Sequence, residues 1–169
     1  MGTIFVDNLE PQSGTSLTLG ASGDTIGLAS GATAGFGKIG QVVQVSGSGG
    51  VSTTSTSFVA APIAVTITPT ATSSKVYVSI AFMNKTATDQ DFYATIYRDT
   101  TNLGDSFDGF FSNHTKVANS KSLVYMQYVD SPSSTSALEY KVYFKGEGQT
   151  VTANNDEADW AFIAMEILA

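Results

Sequence analysis

A chain of 169 residues, 42% of them hydrophobic, has apolar mass for one core of ordinary size, yet only 14% of it is charged and it contains no Cys. Its formal charge of −7 leaves 8 Lys and Arg, scattered singly, which argues against nucleic acid or an anionic membrane surface as a partner. Without Cys there are no disulfides and no thiolate metal sites, and no apolar run approaches the roughly 20 residues of a membrane-crossing helix.

Ser and Thr number 41, with 16 Gly. Hydroxyl side chains compete with helical backbone hydrogen bonds and β-branched ones suit pleated chains, so the composition leans all-β. Residues 1–37 form the first region, rich in Gly, Ser and Thr, and they carry a short repeat: Leu17 and Leu19 recur as Ile26 and Leu28 at a spacing of nine. Each rung offers an apolar edge two side chains wide, too thin to bury itself within one chain. Three copies around a threefold axis solve this, so Leu17, Leu19, Ile26 and Leu28 are expected to hold a homotrimeric β-stalk.

From Lys38 the pattern becomes a succession of strands. They are expected at 38–45, 57–68, 75–84, 92–98, 122–130, 137–145 and 149–153, with clean alternation at Val76, Val78, Ile80 and Phe82 and again at Leu138, Tyr140, Val142 and Phe144. Leu123, Tyr125 and Val129 oppose Val124, Met126 and Tyr128 in the same manner. The ending EADWAFIAMEILA reads two ways: as a helix by propensity, or as a strand buried on both faces by alternation. Residues 38–169 are therefore expected to form a jelly-roll-like antiparallel β-sandwich head.

Two passages resemble a known family. Residues 12–26, QSGTSLTLGASGDTI, are similar to a segment of tail-fibre and other structural proteins of marine and freshwater tailed phages, cyanophages included. Val42-Val43-Gln44-Val45, the run from Thr68 to Val76, Asp130 to Ala137 with Tyr140-Lys141, and Ala164-Met165-Glu166-Ile167 resemble a domain recurrent in those same proteins. The resemblance implies a trimeric β-sandwich head on a stalk, a strand for the C-terminal segment, and a virion protein assembled in the host cytoplasm. It further implies other virion proteins, of the tail or the major capsid shell, as partners. That location fits an opening, MGTIFVDNLEPQSG, with neither the cationic start nor the apolar stretch of a secretory signal.

Motifs with chemistry resolve into bland readings. Gly35-Phe36-Gly37-Lys38-Ile39-Gly40 fits the dinucleotide fingerprint in letters, but the β-branched run after it cannot supply the helix that receives a pyrophosphate. His114, the only histidine, stands in a polar stretch expected to be a loop, with no neighbour from which to build a nucleophile–base pair. Asp89, Asp91, Asp105 and Asp108, and Asp156, Glu157 and Asp159, lack the order of a calcium loop and read as solvated. No catalytic residue, cofactor or metal is assigned. Phe107, Phe110 and Phe111 with His114 form a candidate receptor-facing loop for a host-surface glycan, although aromatic rings are more often buried between subunits. The expected function is a phage adhesin, fibre- or tip-like, with a capsid decoration (cement) protein as the alternative.

Overall fold

The computed structural model describes residues 38–87, 89–154 and 158–168. The expected ribs Leu17, Leu19, Ile26 and Leu28 lie outside these residues, whereas Lys38–Ala169 forms a compact unit of its own. The described chain is all-β. Its strands are β1 (Ile39–Gly47), β2 (Val51–Thr53), β3 (Val59–Ile67), β4 (Lys75–Thr86), β5 (Gln90–Arg98) and β6 (Thr101–Asn102). There follow β7 (Phe111–Thr115), β8 (Ser120–Asp130), β9 (Leu138–Lys145), β10 (Val151–Ala153) and β11 (Trp160–Ile167).

These strands make two antiparallel sheets. In the first, β4 pairs along its whole length with β8, from Val76↔Asp130 to Thr86↔Ser120. The other edge of β4 pairs first with β11 and then with β10. β1 lies outside β11, and β2 outside β10. The second sheet runs β3-β9-β5, with β7 and β6 sharing the far edge of β5. Pro62 falls where the β3 register shifts, on an edge strand, the setting in which a residue without an N–H does no harm to a ladder.

Period-two alternation supplies the core between the sheets. Val76, Val78, Ile80 and Phe82 of β4 meet Ile96 and Phe92 of β5 and Tyr140, Val142 and Phe144 of β9, all fully or almost fully buried. Phe92 centres an aromatic cluster, stacked on Phe144 and edge-on to Phe82 and Phe111.

Polar side chains pin the two ends of the sandwich. At one end the buried Asn84 carboxamide accepts from the Ser122 backbone at 3.0 Å and donates to Asn113 of the opposite sheet at 3.0 Å. At the other, Asp130 accepts two hydrogen bonds from Arg98, at 2.7 and 2.9 Å, and one from the Tyr140 hydroxyl at 2.7 Å. Burial and then the Asp130 hydrogen bond raise the Tyr140 phenol well above its ordinary range. Glu166 lies at this second end too, fully buried. The Leu168 N–H donates to the Lys38 carbonyl at 2.7 Å, so both ends of the unit emerge side by side.

Three expectations need correction. The C-terminal segment is a strand, but its faces are unequal: Trp160, Phe162 and Ala164 are buried, while Ala161, Ile163 and Met165 are only partly covered. His114 sits on β7, not in a loop; the inward residues there include Asn113 and Thr115, so no apolar alternation announced that strand. The alternation of Leu138, Tyr140, Val142 and Phe144 leaves Lys145 on the side of β9 away from the core, yet Lys145 is buried as well.

Candidate functional site

The outer faces of the two sheets differ in chemistry. On the β3-β9-β5 sheet, Lys141 pairs with Glu139, His114 on β7 bonds Asp91 at 2.8 Å and approaches Asp89 at 3.3 Å, and Tyr97 stacks on Tyr143. That face is dressed for water. The opposite outer face carries no charge at its centre. Register places Val42, Met165, Tyr77 and Val129 in one row across β1, β11, β4 and β8. The next rows are Gln44, Ile163, Ser79 and Gln127, then Ser46, Ala161, Ala81 and Tyr125, with Leu123 beside Met83 beyond them. Val42 is 58%, Leu123 60%, Tyr125 51% and Val129 47% exposed. Among the described residues of these strands, charges stand at its margins, as Lys75, Lys85 and Lys121, and no carboxylate interrupts it. Four strands at about 4.8 Å and seven residues at about 3.3 Å give a footprint on the order of 400 Å². The apolar side chains lie on either side of a row that holds Gln44, Ser79 and Gln127, and exposed patches of this extent are often functional.

β8 also ends this sheet, pairing only with β4 among the described strands. An unpaired edge beside an apolar face is a liability unless something covers it.

A second feature lies at the end of the molecule where β9 finishes. Thr56, Tyr93, Phe107, Lys145, Gly146 and Glu147 line a recess of about 240 Å³. Lys145 is only 7% exposed, and its ammonium sits over three rings, 4.2 Å from Phe107, 4.8 Å from Tyr93 and 5.0 Å from Phe58. Cation–π attraction offsets part of its burial, yet the ammonium makes no hydrogen bond or ion pair with any described residue. The Tyr93 hydroxyl donates to Glu147 at 3.2 Å. Burial, the Asp91 charge, and then Glu147 and Asp108 push that phenol up to about 12.

Phe107 reaches the recess from a wired loop. Asp105 accepts from the backbone N–H groups of Phe107 and Asp108 at 2.7 and 2.9 Å, which hold its carboxyl below the usual range. Gly109 adopts φ +71°, and a Cβ there would strike the Ala94 carbonyl. Of the aromatic residues expected to face a receptor, Phe107 is 62% exposed, whereas Phe110 and Phe111 lean on the core. His114, on β7, is held by Asp91 of β5. Of the four residues Phe107, Phe110, Phe111 and His114, only Phe107 is among those that line this recess, beside Tyr93, Lys145 and Glu147.

Among the described residues, no group of three His, Asp or Glu is placed to hold a metal ion. Asp105 is engaged by its own loop, and Asp89 and Asp91 by His114. Asp156 and Glu157 lie outside the described residues. No protein-family model and no curated protein matches the chain.

Proposed function

We propose that this is a structural surface protein of a tailed-phage virion, a homotrimeric, fibre- or tip-like adhesin for host attachment with a jelly-roll head. The strand order supports the jelly roll. Taking the eight strands of five or more residues in chain order, one sheet reads first, eighth, third, sixth and the other second, seventh, fourth, fifth. That order is consistent with the double Greek key of a jelly roll, a fold used by viral capsid and lectin domains.

A fold alone names no function, so the reading leans on surface chemistry. The observation that carries it is the uncharged outer face of β1-β11-β4-β8, on a protein that shows charge on its other face. Such a face suits contact with another protein, because the cores of protein interfaces are depleted of charged residues. In the proposed trimer it turns toward the threefold axis. The recess at Phe107 is left outward for a host-surface glycan. It opens where β3 begins, whereas residue 38 lies where β3 ends, as the Gln41 to Thr68 hydrogen bond shows. That separation is roughly 30 Å for the ten residues between Phe58 and Thr68.

Copy number tests the reading. Quantitative mass spectrometry of purified particles is expected to count at most roughly a few dozen chains, as threefold fibres at a tail require. A count of several hundred, roughly the number of sites on a head shell, would overturn the adhesin in favour of a decoration protein.

A further inference from the structure

We propose that the recess at Phe107 binds a single neutral pyranose, with Lys145 donating to its hydroxyls, Glu147 accepting from them, and the exposed Phe107 ring packing on its C–H groups. This deepens the adhesin reading and rests on it only for the source of the sugar.

The volume of about 240 Å³ sets the ligand's size. Pockets for drug-sized molecules run to roughly 300–1,000 Å³, so this one accepts a single ring. The polar groups set its chemistry. The Lys145 ammonium lines the recess, and its three N–H donors can be offered to an oxygen placed there. Glu147, an exposed residue that also lines the recess, retains acceptor capacity beyond its bond to Tyr93. Donor, acceptor and aromatic surface together are what a polyol with an apolar face requires.

Charge decides between sugar classes. Four carboxylates, Asp91, Asp105, Asp108 and Glu147, act on the groups of the recess against one ammonium. An anionic sugar would meet net repulsion, and a neutral one does not. The site is also formed in advance, since Asp105 and Gly109 fix the loop that carries Phe107, so little ordering cost falls on binding.

Saturation-transfer NMR on the full-length protein, with the methyl glycosides of glucose, galactose and mannose and with the anionic methyl glucuronide, tests this. At least one neutral glycoside is expected to take up saturation at its ring C–H protons, and the glucuronide to take up none. Lys145→Met keeps an apolar, polarizable chain among the rings, and Glu147→Gln changes an exposed residue. Each is expected to weaken binding about tenfold or more, Lys145→Met by deleting a charged donor and Glu147→Gln by removing the charge of the acceptor, with the thermal midpoint of Glu147→Gln unchanged. Absence of saturation for all three neutral glycosides, preference for the glucuronide, or undiminished binding by Glu147→Gln would each overturn the proposal. The two readings fail separately. Sugar binding by a chain present in hundreds of copies removes the adhesin and keeps the recess; no sugar binding by a tail-located chain does the reverse.

Discussion

Glu166 occupies a position that strand parity assigns to the core, in line with Trp160, Phe162 and Ala164. Its carboxylate accepts from Gln41 at 2.8 Å, and from the Thr70 N–H at 2.6 Å and hydroxyl at 2.7 Å. Burial pushes the carboxyl up, but these hydrogen bonds outweigh it and bring the pKa down to about 2. A folded value below the unfolded 4.5 means that the group's stabilisation is complete above pH 4.5 and is lost as pH falls toward 2. Urea midpoints measured from pH 6 to 2 are expected to drop more steeply for the natural protein than for Glu166→Gln. At pH 6 the variant is expected to be less stable by about 2 kcal/mol, the order of a lost charged hydrogen bond. Parallel curves would show that the carboxylate contributes nothing. Alternation in the sequence predicts an apolar residue at 166, and nothing local reveals donors arriving from residues 41 and 70. The same holds for Asp130, whose partners Arg98 and Tyr140 come from other strands. Long-range polar clamps are invisible to periodicity, because each half looks like an ordinary surface residue.

At the scale of elements, β4 and β9 were legible from apolar alternation alone, since one face of each is continuous core. β7 was not, because Asn113 turns inward to meet Asn84 and breaks the pattern. Only a resemblance favoured a strand over a helix at β11, and the strand forms because β4 and β1 flank it on both edges. Alternation in β8 also carried a signal that is easily misread: Leu123, Tyr125 and Val129 are as apolar as the buried face, yet they point out. Replacing Leu123 and Val129 together by Lys removes nothing from the core. In sedimentation velocity the double variant is expected to shift from trimer to monomer while its far-ultraviolet spectrum stays that of a β protein. A variant that remained trimeric would show that this face lies outside the interface.

At the scale of the whole molecule, association has two proposed sources, the sheet face and the ribs Leu17, Leu19, Ile26 and Leu28. Combining Leu17→Asp with Ile26→Asp places three like charges at each rung of a threefold stack, and repulsion at close range is strong where water is excluded. Trimer dissociation at micromolar protein is expected to rise at least about tenfold, corresponding to roughly 1.4 kcal/mol. An unchanged constant would leave the heads alone responsible for assembly. The ribs themselves were readable only as a repeat with an unsatisfied edge, since a single chain's sequence contains no partner to complete it.

Lys38 and Leu168 leave the sandwich within one hydrogen bond of each other, far from Phe107. A fluorescent tag or affinity handle appended after residue 169 accordingly departs from the pole opposite the sugar recess. Labelled protein can be captured on a sensor by that handle with the recess still facing the flow of glycan.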